Sequence, residues 1–131
     1  MSAVVRISFG ELLDKITILG IKSERVQDAT KKQHVNDELK QLEGVWADIL
    51  EGRTDTGEVN ILRRTLRQTN ETLWEIEDQI REKEARKEFN FEFIELARQV
   101  YFTNDERARL KRKVNVLLRS DIVEEKQYTQ Y

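Results

Sequence analysis

Two pairs of acidic residues are the side chains whose type and spacing suit catalysis best. Glu75 and Asp78 lie three positions apart in the stretch 59–89, and Asp48 and Glu51 have the same spacing upstream. Carboxylates three apart on a helix point the same way and can share a Mg²⁺ that bridges to substrate phosphates. One hypothesis is therefore a Mg²⁺-dependent all-α hydrolase of nucleotides or other phosphorylated metabolites.

The positions of these acids on their predicted helices favour a different interpretation. The pairs resemble the acidic motifs of all-helical nucleotide pyrophosphohydrolases, but Glu75 and Asp78 lie opposite the apolar stripe of their helix. Asp48 likewise lies opposite the stripe of its own helix. If each helix buries only its apolar stripe, these acids face water and pair with neighbouring Lys or Arg. We therefore predict no catalytic residues, no metal and no cofactor, and keep Mg²⁺ bound at Glu75 and Asp78 as the alternative.

The other reactive side chains form no catalytic or nucleic-acid-binding pattern. The chain has one histidine, His34, and no cysteine, which argues against a transition-metal site or a Cys/His nucleophile. The basic run at 107–113 is spread around a helix, and the net charge is −2, so we expect no nucleic-acid partner. No apolar run is long enough for a membrane span and no signal peptide is recognisable, so the expected location is the cytoplasm.

The first predicted helix has a second face that mixes charged with apolar residues. This face consists of Glu11, Asp14, Ile18, Ile21, Lys22 and Arg25. An exposed face would not normally carry two isoleucines, so we expect it to be covered by other helices or by a second copy of the chain. Its acids lie at one end and its bases at the other, which suits antiparallel pairing across a two-fold axis. We predict a homo-oligomer, most simply a dimer, that associates through this face.

Several residues beside the stripe at 59–89 and near the last helix are further candidates for contacts. Trp74 lies next to this stripe, where it either packs at the edge of the core or anchors a protein partner. Asn70, Glu77 and Asn104 are polar groups near predicted seams, and such groups often fix the register between helices.

Helical periodicity runs through nearly the whole chain. In the stretch 59–89 apolar residues recur every three or four positions without Gly or Pro, which predicts one helix of about 45 Å. Two more helices are predicted before it, from 9 to about 27 and from 31 to 50. Ser8-Phe9-Gly10-Glu11 has the form of a capping box that begins the first of them.

After the long helix, the pattern resumes at Phe91. Thr103-Asn104-Asp105-Glu106 repeats the capping-box pattern and predicts a break before the last helix. The predicted fold is thus all-α, a bundle of four to five helices organised on the long helix at 59–89. Residues 1–131 form a single domain, with short extended segments at about 1–7 and 121–131.

Several stretches resemble a family of small uncharacterised proteins of bacteria and their phages. The matching stretches cover nearly the whole chain and lie at residues 9–19, 21–25, 73–78, 93–98, 103–107 and 123–126. Members tend to carry an acidic residue where this chain has Gly20. The resemblance implies no established activity, but the company that members keep with glycosyltransferase-type proteins implies a link to surface-glycan assembly. We predict a self-associating interaction or accessory protein rather than a catalyst.

Overall fold

The fold consists of four helices and no strand. A computed structural model describes all 131 residues. The helices are α1 (Phe9–Arg25), α2 (Ala29–Leu50), α3 (Thr56–Ala85) and α4 (Phe91–Leu118). The predicted all-α class is confirmed. None of the four helices is both long enough and apolar enough to cross a membrane.

Three helices begin at residues whose side chains cap them, and the first of these is the Ser8 expected from the capping box. The side chains of Ser8, Asp28 and Asn90 each accept a hydrogen bond from the backbone amide three residues further on, at 3.0, 2.9 and 3.1 Å. Each bond satisfies one of the amides that a helix start leaves without a partner. The reciprocal half of the box at Ser8 is missing because the Glu11 carboxylate accepts instead from Lys111 Nζ at 2.6 Å.

The predicted break in the last helix is wrong, and the five-helix count is not confirmed. The segment 103–106 lies inside α4, which continues without interruption from Phe91 to Leu118. Val100, Thr103 and Asn104 lie at least partly buried on the side of α4 that packs within the bundle. The helix packs within the bundle both before and after this segment, and this packing outweighs the local capping pattern. A capping side chain stabilises only the first turn of a helix, so the pattern has no effect in the middle of one.

The helix that packs against all three others is α1, not the long helix at 59–89. α1 packs against α2, α3 and α4, whereas α2 packs mainly on α1. α3 is the longest helix, at 30 residues, but its organising role is not confirmed. The core joins residues of all four helices: Leu12, Leu13, Ile16, Trp46, Val59, Leu66, Leu110, Val114 and Leu118. α1 takes the central place because both of its faces carry side chains that need burial.

A glycine permits the closest approach between α1 and α4. The Gly10 backbone amide donates to Asn115 Oδ1 at 2.6 Å. A Cβ atom at Gly10 would lie 2.9 Å from Asn115 Oδ1 and closer still to the Lys111 carbonyl oxygen. Any larger residue would therefore have to separate the two helices at this point.

The segment after α4 runs back along that helix and is fastened near the start of α1. Glu124 accepts hydrogen bonds from the Ser8 hydroxyl and from Asn115 Nδ2, the latter at 3.1 Å. Burial raises the pKa of Glu124, but these hydrogen bonds and the charge of Lys111 outweigh it, so the pKa lies below its usual value. Glu124 thus stays ionised and links both ends of the chain through the buried Asn115.

We expect the substitution Glu124→Gln to loosen this segment. A glutamine side chain carries no negative charge, so the hydrogen bonds to Ser8 and Asn115 are no longer charge-assisted, at a cost of about 1 kcal/mol. The backbone ¹⁵N heteronuclear NOE of residues 122–131 should fall. The matched control is Glu125→Gln, because Glu125 contacts only the exposed Arg112. Equal NOE values in the two variants would show that Glu124 does not hold this segment against α1 and α4.

Candidate functional site

A buried carboxylate on α1 anchors the most highly organised polar cluster of the molecule. Asp14 is 1% exposed, and its Oδ1 accepts from Arg107 Nε and Asn70 Nδ2, each at 2.9 Å. Its Oδ2 accepts from Arg107 Nη2 at 2.5 Å. Thr17 Oγ1 accepts from Asn70 Nδ2 at 2.9 Å and donates to the Asp14 carbonyl oxygen. The cluster thereby ties α1 to α3 and α4 without leaving a buried side-chain polar atom unpaired.

The electrostatics of the cluster keep Asp14 ionised. Burial raises the pKa of Asp14. The hydrogen bonds from Arg107 and Asn70, together with the charges of Arg107 and Lys111, lower it by more, so the pKa lies below its usual value. The Asp14 hydrogen bond in turn raises the pKa of Arg107. The pair is a permanent ion pair across the usual pH range and is not suited to proton transfer.

Arg107 keeps part of its hydrogen-bonding capacity. A guanidinium group has five N–H donors, and the two-point contact with Asp14 uses one on Nε and one on Nη2. The side chain is 30% exposed, and it borders an open cleft. The two-point contact with Asp14 therefore fixes the plane of the guanidinium group, whose other three donors make no hydrogen bond within the chain.

The cleft lies between α1, α3 and α4 and has a volume of about 470 Å³. Ile18, Ile21 and Leu73 supply its apolar lining. Its polar and aromatic lining residues are Asn70, Trp74, Glu77, Asp78, Arg81, Asn104 and Arg107. Asn70, Glu77 and Asn104, singled out in the sequence as polar groups near seams, thus lie together here. The lining offers apolar surface, amide groups and charges of both signs to one ligand.

Trp74 stands at the edge of the cleft with a cation beside it. The Arg25 guanidinium carbon lies 5.7 Å from the centre of the Trp74 ring, and Arg25 Nη1 lies 2.5 Å from Glu75 Oε1. The indole is only partly buried. Arg25 and Glu75 therefore limit the movement of an aromatic surface that borders the cleft.

The four acids of the hydrolase hypothesis do not come together. Glu75 pairs with Arg25, and Asp78 is exposed at the rim of the cleft. Asp48 and Glu51 lie at the opposite end of the bundle, beside the start of α3, about 28 Å along that helix from Glu75. No group of three or more His, Asp or Glu side chains in the chain is placed to hold a metal ion. The structure therefore assembles no shared carboxylate site from these pairs.

The second face of α1 lies largely against other helices of the same chain, one of the two kinds of cover expected for it, and association of two copies through this face stays a prediction. Glu11 binds Lys111, Asp14 binds Arg107, and Arg25 binds Glu75. The remaining members are also at least partly covered: Ile18, Ile21 and Lys22. Glu11 and Asp14 thus pair with α4 and Arg25 pairs with α3, whereas Lys22 has no ion pair within the chain.

Arg107 is the functional candidate that sequence reasoning missed. Its position in a basic run draws attention to charge, but it also lies seven residues from both Val100 and Val114 on the inner stripe of α4. A charged residue on an apolar stripe requires a buried partner, and that requirement is the signal in the sequence. The partner itself, Asp14, lies 93 positions away, so no local pattern identifies it.

Comparison with known proteins gives a family without an assigned activity. Residues 3–131 match the model of a family described as "Family of unknown function (DUF6165)". No curated protein and no solved structure matches the chain. Since the family model spans almost the entire sequence, the chain belongs to this family of unknown function, DUF6165.

Proposed function

We propose that this protein is a non-catalytic interaction protein whose cleft between α1, α3 and α4 binds a carboxylate-bearing segment of a partner protein. The observation that carries the proposal is Arg107, held from behind by buried Asp14 with donors left over at an open cleft. A guanidinium fixed in this way binds a second carboxylate with little further loss of side-chain entropy.

The chemistry around the cleft supports binding over catalysis. Asp14 and Arg107 have pKa values shifted away from neutrality, so neither is suited to act as a general acid or base. Glu77 and Arg81 lie within 3.6 Å of each other at the rim, in an ordinary exposed pair. The lining contains no serine, cysteine or histidine to serve as a nucleophile or its base.

The composition of the cleft favours a protein segment as the ligand. Trp and Arg are the residue types that most often dominate the binding energy of protein interfaces, and Trp74, Arg81 and Arg107 lie together here. Apolar lining at Ile18 and Leu73 suits a hydrophobic side chain next to the carboxylate. The Asn104 amide, which makes no side-chain hydrogen bond within the chain, suits the backbone of a bound segment, which has a donor and an acceptor at every residue.

A random-peptide phage library selected on the immobilised protein tests this proposal. We expect the enriched peptides to share an Asp or Glu next to an apolar residue. Their affinity should fall at least about tenfold in Trp74→Ala, and less in Arg81→Ala, because Arg81 is far more exposed.

The matched control is Arg64→Ala, which removes an exposed cation from α3 outside the cleft and should leave the affinity unchanged. Peptides that bind Trp74→Ala as tightly as the original protein, or a selection without a shared acidic residue, would contradict the proposal. The link to surface-glycan assembly stays a prediction, and an enriched sequence would supply a motif for finding the partner.

A further inference from the structure

The outer side of α4 carries a stripe of exposed apolar residues. Phe91, Ile94, Tyr101 and Phe102 are 73%, 52%, 44% and 43% exposed. Their spacing places them on one side of the helix, opposite the inner stripe that includes Val100. Scattered exposed apolar residues are ordinary on a protein surface, but four on one side of a helix within three turns, with Arg98 between Ile94 and Tyr101, indicate an interaction surface.

The segment after α4 extends this stripe but does not cover it. The Tyr131 ring lies 5.4 Å from that of Tyr101 and 4.9 Å from that of Phe102, measured between ring centres. Its hydroxyl donates to Asp105. Tyr131 is itself 71% exposed, so an aromatic surface remains open on the outside of the molecule.

We propose that the outer stripe of α4 binds the same stripe of a second copy, with the two helices antiparallel and the two-fold axis between Tyr101 and Phe102. Arg98 and Asp105 lie at equal distances on either side of this axis. Within the chain Arg98 contacts the exposed Glu95 and Asp105 accepts from the Tyr131 hydroxyl; such surface contacts are weak and leave both charges able to face a second copy. In this arrangement Arg98 meets Asp105 of the partner subunit, and the same pair forms again on the other side of the axis.

The charges and rings along α4 favour this arrangement over a parallel one. An identical helix aligned in parallel would place Arg98 beside Arg98 of the partner subunit, which is repulsive. The antiparallel alignment also brings Phe91 opposite Arg112 of the partner subunit, a pairing of an aromatic ring with a cation. Tyr101 and Phe102 of both subunits lie at the axis, and the Tyr131 ring packed against them takes part in the same aromatic contact.

This surface is separate from the cleft. Asn104 and Arg107 border the cleft on the inner side of α4, whereas Phe91, Ile94 and Tyr101 lie on its outer side. The inference therefore does not rest on the proposed function, and either can fail without the other.

Two charge reversals and their mixture test the proposed pairing by sedimentation velocity. The original protein should sediment as a dimer at micromolar concentration. Arg98→Glu places acid against acid, and Asp105→Arg places base against base, so each variant alone should dimerise at least about tenfold more weakly. An equimolar mixture should regain a dimer of one chain of each kind, identified by its mass in native mass spectrometry, because both cross-axis pairs are then of opposite charge.

Three further variants distinguish dimerisation through the outer side of α4 from the effects of losing the Tyr131 contact or any exposed isoleucine. Tyr131→Phe removes only the hydroxyl that contacts Asp105 and should leave the dimer intact. Ile61→Ser alters an exposed isoleucine on α3 and should also leave it intact, whereas Ile94→Ser should weaken it. A monomeric original protein, single reversals that remain dimers, or a mixture that stays monomeric although both variants keep their helical circular dichroism would overturn the proposal.

Discussion

Replacing Asp14 with alanine should lower the free energy of unfolding by about 3 kcal/mol, the largest loss expected for any single acid of this chain. Removal of one member of a buried ion pair costs about 3–5 kcal/mol, because the other member keeps its desolvation without its partner. We expect the lower end because Arg107 is 30% exposed and water reaches it from the cleft. Asn70 also loses an acceptor.

Urea denaturation followed by circular dichroism measures this loss, with Asp48→Ala as the matched control. Asp48 is exposed and has no side-chain partner in the chain, so its variant should stay within about 0.5 kcal/mol of the original protein. Similar stabilities for the two alanine variants would show that the Asp14 cluster is not what joins α1 to α4.

The pH dependence of stability gives the same prediction a second readout. The pKa of Asp14 is lower in the folded chain than its ordinary value of about 3.9. The stabilisation from its ionised form is therefore complete above about pH 4 and is lost as the pH falls through the lower folded-state pKa. In the Asp14→Asn variant, the free energy of unfolding should therefore fall less steeply as the pH is lowered below about 4.

Gly10→Ala should lower the free energy of unfolding by about 2–3 kcal/mol, although alanine is the better helix former. The added Cβ would meet the Lys111 carbonyl oxygen, and backbone on a packed helix has little room to move. Separation of α1 from α4 would also stretch the hydrogen bond from the Gly10 amide to Asn115.

The control for Gly10→Ala is the same substitution at Gly44, also within a helix. A Cβ at Gly44 meets nothing within 4 Å, so Gly44→Ala should raise the free energy of unfolding by up to about 1 kcal/mol. Chemical denaturation of the two variants should therefore give changes of opposite sign. A neutral or stabilising Gly10→Ala would contradict the close approach of α1 and α4.

The sequence predicts the helices well because each element carries its own stripe and most carry their own caps. Ser8, Asp28 and Asn90 act through the amide three residues on, an effect that needs no distant part of the chain. The arrangement of the helices is less predictable. The two-faced pattern of α1 indicates that it is covered on both sides, but it does not distinguish helices of the same chain from a second copy.

The candidate site is also only partly predictable, because it is formed by residues from distant parts of the chain. Ile18, Ile21, Trp74 and Asp78 are recognisable as unusual or reactive positions, and all four line the cleft. They meet because α1 packs against α3, and the pairing of Asp14 with Arg107, 93 positions apart, brings α4 to the same cleft. The local pattern at 103–106 even predicts a break one residue before Arg107, whereas the folded chain keeps α4 continuous and aims Arg107 at α1.

The most direct test of the cleft is a titration of ¹⁵N-labelled protein with a selected acidic peptide, observed at side-chain resonances. The Arg107 Nε–H and the Trp74 indole N–H should shift and saturate together, while the indole of the buried Trp46 should not move. The same peptide with its Asp changed to Asn should bind at least about tenfold more weakly. Saturable binding that leaves Arg107 and Trp74 unshifted, or equal affinity for the two peptides, would contradict the assignment of the cleft as the recognition site.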